Sequence, residues 1–213
     1  ETMDLADRRE QYESQGIDIA DVAADPIDQF EAWYRDGEAA DLREPNSTVV
    51  STVDAEGWPT ARYVLMKSFD NHGFVFFTNY TSDKATALDK TGRAGLTFGW
   101  LPLRRQVRIV GSVKRVAETE SDEYFALRPL NSQIGAWASP QSQIVESRKY
   151  LDDRYAAIDQ DEGPGTVERP PHWGGYRVAP HSIEFWQGRP SRMHDRIRYT
   201  RVGGTWTKAR LAP

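Results

Sequence analysis

Arginine and histidine alternate near the C-terminal end of the chain, in the segment IEFWQGRPSRMHDR (residues 183–196). Side chains at every second position of a β-strand point to the same face. If this segment is a strand, Arg192, His194 and Arg196 share one face, and Met193 and Asp195 share the other. Two guanidinium groups and an imidazole on one face could bind an anion. An exposed strand on which Asp195 forms surface ion pairs with nearby arginines explains the same residues without a site.

Other cations lie in or beside predicted strands: Arg62 and Lys67 in RYVLMK, Lys84, Arg105 and Arg128. Arginine binds phosphate through a fixed fork and lysine binds it as a point charge, so no glycine-rich loop is needed. Arg62 and Lys67 have opposite parity and face opposite ways on a regular strand. They serve one pocket only if the strand bends or the pocket lies between subunits. Charged strand ends in solvent are the simpler interpretation of RYVLMK.

Composition narrows the classes of function. The formal net charge of −5 argues against a general nucleic-acid binder, and the absence of cysteine excludes disulfides and cysteine-ligated metals. The histidines are too dispersed to predict a metal site, and the nucleotide-loop and hydrolase motifs are absent. Redox chemistry would therefore need an organic cofactor. No signal peptide and no 18-residue apolar run is visible, which predicts a cytoplasmic protein without a membrane partner.

The elements that must position these cations are mostly strands. DPIDQFEAWYRDGEAADL predicts a helix capped by Asp25, and SDKATALDKTG predicts one that begins at Ser82 and stops at Gly92. STVVSTVDAEGWPTARYVLMKSFDNHGFVFFTNYTS predicts a three-stranded meander. RAGLTFGWL and RQVRIVGSVKRVA predict two strands around Pro102, and TESDEYFALRP, NSQIGAWA and IVESRKYLDDRYAAID predict helices. GGYRVAP, SIEFWQG, RMHDRIRYTR and TWTKARLAP predict further strands, the last two joined at Gly203–Gly204.

This order lacks the regular alternation of strand and helix that a Rossmann sheet requires. It predicts a mainly β protein, an antiparallel barrel with peripheral helices. We expect one domain over residues 1–213, with an N-terminal arm over residues 1–24 and a loop over residues 159–171.

Taken together, the segments resemble the pyridoxine (pyridoxamine) 5′-phosphate oxidase family. The clearest similarity is IEFWQGRPSRMHDR, supported in the family's order by RYVLMK, FFTNYTS, RRQVRIVG, RPLNSQIGAWASPQSQ, WGGYRV and the terminal RLAP. The resemblance covers nearly the whole chain. It implies an FMN-binding split β-barrel that works as a homodimer, with the flavin at the subunit interface.

The resemblance also implies roles for individual residues. Arg192 and His194 would lie over the substrate pyridine ring as the catalytic pair. The substrate would be held by Lys67, Tyr124, Arg128 and Ser132, and covered by Arg9 and Tyr12. FMN would be bound by Arg62, Tyr63, Val64, Leu65, Met66, Lys67, Phe77, Thr78, Lys84, Gln106, Gln141, Ser142, Trp186 and Arg196. Many members have arginine where this chain has Asp83, and a carboxylate there cannot donate to phosphate.

The implied activity is oxidation of pyridoxamine 5′-phosphate or pyridoxine 5′-phosphate to pyridoxal 5′-phosphate, in vitamin B6 metabolism. Dioxygen is the acceptor, hydrogen peroxide is formed, and the amine also releases ammonia. Two alternatives remain open from the residues. One is a carrier that binds flavin or pyridoxal phosphate without chemistry, and the other is a split-barrel flavin or deazaflavin enzyme with another substrate.

Overall fold

The computed structural model describes residue 12 and residues 14–162 and 167–213. Strands supply most of its regular structure. In chain order the elements are α1 (Pro26–Ala39), β1 (Ser47–Val53), β2 (Pro59–Asp70), β3 (Gly73–Asn79), α2 (Asp83–Thr91), β4 (Arg93–Trp100), β5 (Arg105–Arg115), α3 (Glu118–Ala126), α4 (Leu130–Ala138), α5 (Arg148–Glu162), β6 (Trp173–Gln187), β7 (Asp195–Val202) and β8 (Thr205–Leu211).

The strands form one sheet in the order β3-β2-β1-β4-β5-β6-β7-β8, and β3 also pairs with β6. This additional pairing closes the first six strands of the ladder into a ring, as in a β-barrel, and leaves β7 and β8 beyond it. The pairs β2–β3, β3–β6, β6–β7 and β7–β8 are antiparallel. The predicted fold class, a mainly β barrel with added helices, is confirmed.

The chain divides into two compact units. The first comprises the described residues up to Thr48 together with Leu96–Val110 and His181–Pro213. Its core is aromatic: Phe30 packs edge-on against Phe98 with ring centroids 4.9 Å apart, and Phe185 packs against Trp33 at 5.2 Å. These rings are almost fully buried, so they bind α1 to the strands of this unit through the hydrophobic effect.

The second unit comprises Val49–Gly95 and Gly111–Pro180. Phe74, Val75 and Phe76 of β3 are buried, and Phe76 stacks on Tyr176 of β6 with centroids 5.9 Å apart. The Tyr176 hydroxyl donates a 2.8 Å hydrogen bond to Asp89 of α2. This bond satisfies a polar group that would otherwise be costly to bury.

Local sequence signals explain where several elements begin and end. The Asp25 side chain accepts a hydrogen bond from the amide of Ile27 at 2.7 Å, and Pro26 begins α1. Gly203 and Gly204, with φ of 56° and 88°, form the predicted turn between β7 and β8, because both central residues of a type I′ turn need positive φ. In the described residues, no helix has the length and apolar character needed to cross a membrane.

The C-terminal arginine and histidine do not alternate along a strand, so that expectation is wrong. Pro190–Arg192 form a short 3-10 turn, and β7 begins only at Asp195. Ser191 and Arg192 have φ of 56° and 60°, in the left-handed region. A strand cannot continue through two such residues. Arg192 and His194 therefore lie before β7, and Arg196 is the only one of the three that lies on it.

Two other boundaries differ from the prediction. The segments GGYRVAP and SIEFWQG form one strand, β6, because Pro180 falls between the stretch that pairs with β3 and the stretch that pairs with β7. The missing amide of proline therefore costs neither of these ladders a hydrogen bond. Helix α5 begins at Arg148 rather than Ile144 and continues to Glu162, past the expected start of the 159–171 loop.

Gly111 of β5 provides a test of the packing in the second unit. A Cβ added there would lie 2.2 Å from the carbonyl oxygen of Ala179, a backbone atom that cannot rotate away. We expect Gly111→Ala to lower the free energy of unfolding by about 1–3 kcal/mol, as overpacking does. Gly99→Ala is the control, since no atom lies within 4 Å of its added Cβ. Urea denaturation measures both, and equal stabilities of the two variants would contradict this packing.

Candidate functional site

A cavity of about 670 Å³ lies in the second unit. It is within the range of about 300–1,000 Å³ that small-molecule sites occupy. Its wall comes from β2, β3, the start of α2, the region of α3 and α4, and Trp173 of β6. Many residues predicted from the sequence line it: Arg62, Tyr63, Val64, Leu65, Lys67, Phe77, Thr78, Lys84, Tyr124, Arg128, Ser132 and Gln141.

Strand β2 contains a β-bulge at Lys67, and both Arg62 and Lys67 line the cavity. Met66 pairs with Phe76, but Ser68 pairs with the adjacent Val75, so Lys67 is the extra residue. A bulge of this kind bends the strand and re-aims a side chain. The sequence left a bent strand and a subunit seam as the two ways for opposite-parity residues to share a pocket. Within this single chain both residues line one cavity, and the bulge falls at one of them, Lys67.

Arg62 is held in the cavity wall by neutral acceptors. Its Nη1 donates to the Thr52 hydroxyl at 2.8 Å and to the carbonyl of Val50 at 3.3 Å, and its Nη2 donates to the Thr60 hydroxyl at 2.8 Å. Burial lowers the pKa of Arg62, and the charge of Asp83 opposes that shift. The strands β1 and β2 thus fix a guanidinium group without neutralising it.

Lys84 lies at the beginning of α2, where Ser82 caps the helix. Its Nζ donates to the side-chain oxygen of Gln141 at 2.8 Å and to the Thr78 hydroxyl at 3.1 Å. Burial lowers the pKa of Lys84, and the positive charge of Arg62 lowers it further. Arg62 and Lys84 are therefore two partly desolvated cations that repel each other. We call them the first cation pair.

Two further cations lie against a group of three stacked aromatic rings. Phe77 stacks on Tyr124 with centroids 4.1 Å apart and on Trp173 at 5.4 Å. The Arg128 guanidinium lies 4.6 Å from the Trp173 ring, and Lys67 lies 6.0 Å from the Tyr124 ring. Both distances suit cation–π contacts. We call Lys67 and Arg128 the second cation pair.

Arg128 has a buried nitrogen, Nη1, with no hydrogen-bond partner. Burial also lowers the pKa of this guanidinium. An unsatisfied buried donor is costly and calls for a missing partner. Within the described part of the chain, neither cation pair has a carboxylate within ion-pair distance; their contacts are hydroxyl, amide and carbonyl oxygens and aromatic rings. The cavity thus combines unneutralised positive charge with flat apolar surfaces.

The residues that line the cavity are not all the same as those predicted from the sequence. Met66 is buried in the core, and Ser142, with φ of 70°, accepts a hydrogen bond from the amide of Asp83 at 3.3 Å. Neither lines the cavity. Trp173, which does, was not predicted as a site residue. The only sequence signal for Trp173 is its place directly before Gly174–Gly175. The contact of Trp173 with Arg128 depends on packing that the sequence does not reveal.

The first unit assembles a second set of predicted residues. The His194 ring lies 4.6 Å from Trp186 and 5.9 Å from Tyr12. Its Nδ1 accepts a 3.0 Å hydrogen bond from the amide of Arg189. In the neutral imidazole the proton is then on Nε2, which makes that atom a donor. Tyr12, Trp186 and His194 form what we call the histidine cluster.

The other predicted residues of the first unit have different surroundings. Arg196 is bonded through Nε and Nη2 to Glu184 at 3.0 and 3.1 Å, and this hydrogen bonding raises its pKa. Arg192 is exposed, and Gln106 is half-buried at the start of β5. Asp195 forms ion pairs with Arg210 and Arg189, as the alternative interpretation of this segment expected. Arg9 lies outside the described residues.

Two parts of the chain match models of known protein families. Residues 36–160 match the model described as pyridoxamine 5′-phosphate oxidase. Residues 173–213 match the pyridoxine 5′-phosphate oxidase C-terminal dimerisation region. The chain belongs to the pyridoxamine 5′-phosphate oxidase family. The resemblance seen in the sequence is thereby confirmed, and FMN is the cofactor that this family implies.

Individual relatives agree over almost the whole chain. The pyridoxine/pyridoxamine 5′-phosphate oxidase of Burkholderia cenocepacia (strain HI2424) is 51% identical over 98% of this chain and 99% of its own length. The protein of that name from Synechocystis sp. is 50% identical over 98% of each. A solved structure of PhzG from Burkholderia lata, in complex with tetrahydrophenazine-1-carboxylic acid, is 30% identical with a TM-score of 0.86, over 91% of this chain and 95% of PhzG.

The charge on Lys84 leads to a testable prediction. Because burial lowers its pKa, the lysine is less stable as a cation in the ligand-free fold than in water. We expect Lys84→Met to leave the unfolding free energy of the ligand-free protein unchanged or higher. The variant should also lose at least about half of the stabilisation that inorganic phosphate gives the original protein, since a ligand stabilises through its affinity for the folded state. Thermal unfolding with and without phosphate measures both.

Lys90→Met is the matched control, because Lys90 is exposed in the last turn of the same helix. It should keep the full response to phosphate. A Lys84→Met variant that also kept it would show that this lysine does not bind the anion.

Proposed function

We propose that this protein is an FMN-dependent oxidase that converts pyridoxamine 5′-phosphate or pyridoxine 5′-phosphate to pyridoxal 5′-phosphate, with dioxygen as the electron acceptor. The observation that carries the proposal is the cavity, in which two pairs of unneutralised cations lie around stacked aromatic rings. Such a site suits two flat ligands that each carry a phosphate. FMN and a phosphorylated B6 vitamer are two such ligands.

The first cation pair supports binding of the FMN phosphate. Arg62 and Lys84 are already oriented by Thr52 and Gln141, so little side-chain entropy is lost when an anion arrives. Residues 63–66 of β2, with Phe77 and Thr78, would then contact the flavin. Asp83 acts electrostatically on both cations and makes no ion pair with either in the described structure. We therefore expect its carboxylate to be tolerated near the phosphate.

The second cation pair supports binding of the substrate phosphate. Arg128 Nη1 is a buried donor that needs an acceptor, and Lys67, Tyr124 and Ser132 line the same cavity. A charge-assisted hydrogen bond contributes about 1.5–3 kcal/mol. Three such bonds could supply much of the roughly 8 kcal/mol that micromolar binding requires. The phosphate can therefore provide most of the affinity.

The protein's own part in the reaction is to orient, polarise and exclude water. When bound, FMN would supply the redox chemistry, a two-electron, two-proton oxidation of the substrate at C4′ with dioxygen as the final acceptor and hydrogen peroxide as its product. The amine substrate also consumes water and releases ammonia. Lys67 and Arg128 bind the phosphate of the vitamer, and the aromatic rings of the cavity offer flat surfaces against which the two ligands can stack.

Arg192 and His194 are the residues that we expect at the substrate ring. His194 can donate a hydrogen bond from Nε2, because its Nδ1 accepts from Arg189. Arg192 has a backbone conformation that costs about 1–2 kcal/mol for a residue with a side chain, and such strain is often kept at functional sites. We place FMN at the interface of a homodimer, to which the C-terminal dimerisation region would contribute this pair. Gln106, Gln141, Ser142, Trp186 and Arg196 remain proposed FMN contacts, and Arg9 and Tyr12 a proposed cover.

An aerobic assay tests the proposal directly. The purified protein, with and without added FMN, is mixed with pyridoxamine or pyridoxine phosphate, and pyridoxal phosphate and hydrogen peroxide are measured. We expect equal amounts of both products, dependent on FMN. A yellow protein that forms neither product would support the carrier. Flavin reduction by a different substrate alone would support another split-barrel enzyme.

Arg192→Met tests the role of the loop within this assay. We expect the turnover number to fall about tenfold or more with FMN still bound, because a fixed cation that stabilises developing charge would be lost. Arg198→Met is the control, since Arg198 is exposed on β7, six residues further along the chain. Unchanged kinetics of Arg192→Met would remove Arg192 from the mechanism.

A further inference from the structure

The N-terminal segment of residues 14–23 is attached to the first unit mainly through its own backbone. Side chains from the C-terminal part of the unit donate to its carbonyl oxygens. The donors and acceptors are Arg189 to Ser14, Arg210 to Ile17, Lys208 to Ile19 and Val22, and Tyr199 to Ala23, at 2.7–3.3 Å. The side chains of Ser14, bonded to Gly188 and Gln187, and of Asp18, bonded to Arg210, add to this attachment.

Arg189 occupies a special place in this attachment because it also contacts the histidine cluster. Its Nη1 donates to the carbonyl of Ser14 at 2.7 Å, and its Nε lies 3.6 Å from the carboxylate of Asp195. Its own amide donates to Nδ1 of His194 at 3.0 Å. One residue thus binds the N-terminal segment with its side chain and the imidazole with its backbone.

Asp195 is a second residue that binds the N-terminal segment. Its Oδ2 accepts from the amide of Ile17 at 3.1 Å, and its Oδ1 accepts from Arg210 at 2.6 Å. A Cβ added at Gly16 would lie 2.5 Å from Oδ2, so the chain passes directly against the carboxylate. With a side chain only 18% exposed, Asp195 makes these charge-assisted bonds in partial shelter from solvent.

The segment leads to Tyr12, which packs against the other two members of the histidine cluster, Trp186 and His194. The Tyr12 ring lies 5.9 Å from the His194 ring and 6.5 Å from Trp186, and the guanidinium of Arg104 lies 4.7 Å from its centroid. The imidazole therefore has an aromatic neighbour on the segment that Arg189 anchors. His194 thus contacts the Arg189 amide directly, and it contacts Tyr12 of the segment to which the Arg189 side chain is bonded.

We propose that Arg189 is a positioning residue, which anchors the N-terminal segment at Ser14 and Asp195 so that Tyr12 and the Arg189 amide hold His194 with Nε2 directed for donation. The inference rests on the proposed function only in the role of His194 at the substrate. The anchoring itself is independent of that role. Arg189 touches no ligand in this account and acts through His194.

Hydrogen exchange on the FMN-loaded whole chain, without substrate, tests the anchoring. In Arg189→Ala we expect the amides of residues 14–23, that of Ile17 in particular, to exchange about fivefold faster or more, because local opening becomes easier. Arg189→Lys, which can still donate to a carbonyl, should restore most of the protection. Arg198→Ala is the control. Unchanged exchange in Arg189→Ala would overturn the proposal.

The ring ¹⁵N shifts of His194, assigned with His194→Asn, test the positioning without any turnover. They should change in Arg189→Ala and stay unchanged in Arg198→Ala. Arg189→Ala keeps the backbone amide that donates to Nδ1, so the shifts report on the side chain. Unchanged shifts in Arg189→Ala would mean that the anchoring by the Arg189 side chain does not position the imidazole, and would overturn the proposal. Changed shifts and faster exchange in a protein that forms no pyridoxal phosphate would support the positioning role and reject the proposed function.

In an active protein, a double-mutant cycle tests whether the effect passes through Tyr12. We expect Arg189→Ala alone to lower kcat/KM about three- to tenfold, and to lower it less than about twofold when Tyr12→Ala is already present. Coupling of this size supports the proposal. Penalties that simply multiply would contradict it, because independent sites are additive.

Discussion

The structure depends most on positive charge that the protein fixes but does not neutralise. Arg62, Lys84 and Arg128 are partly buried, and burial lowers the pKa of each. Their contacts are hydroxyl, amide and carbonyl oxygens and aromatic faces, which orient a cation without removing its charge. Taking such groups out of water costs free energy unless an anion compensates them. The ligand-free fold is thus destabilised by the burial of these cations, and an anionic ligand can offset that free energy.

The rest of the second unit can be understood as the support for these charges. Strand β2, which has a bulge at Lys67, contributes residues of both parities to one cavity. The stacked rings of Phe77, Tyr124 and Trp173 give Arg128 and Lys67 polarizable neighbours in place of carboxylates. In the first unit, the Arg189 amide donates to Nδ1 of His194, and the Arg189 side chain lies beside Asp195, which also pairs with Arg210. Membership of the pyridoxamine 5′-phosphate oxidase family agrees with a cavity built for phosphorylated rings.

The sequence predicted those features that depend on local signals. The capped helices α1 and α2 and the Gly203–Gly204 turn follow from residues within a few positions of each boundary. The bulge could not be predicted, since one extra residue in a strand leaves no mark in composition. Alternation alone predicts a strand at residues 190–194, because it does not reveal the positive φ of Ser191 and Arg192. The contact of Trp173 with Arg128 joins residues 45 positions apart, and only the fold brings them together.

The affinity of the ligand-free protein for FMN, compared with its affinity for riboflavin, tests whether the fixed cations bind a phosphate, because the two flavins differ only in that group. Quenching of flavin fluorescence measures both dissociation constants across a range of salt concentrations. We expect FMN to bind at least about 100-fold more tightly than riboflavin at low salt, and this ratio to fall as salt screens the charges. Equal affinities for the two flavins would contradict it.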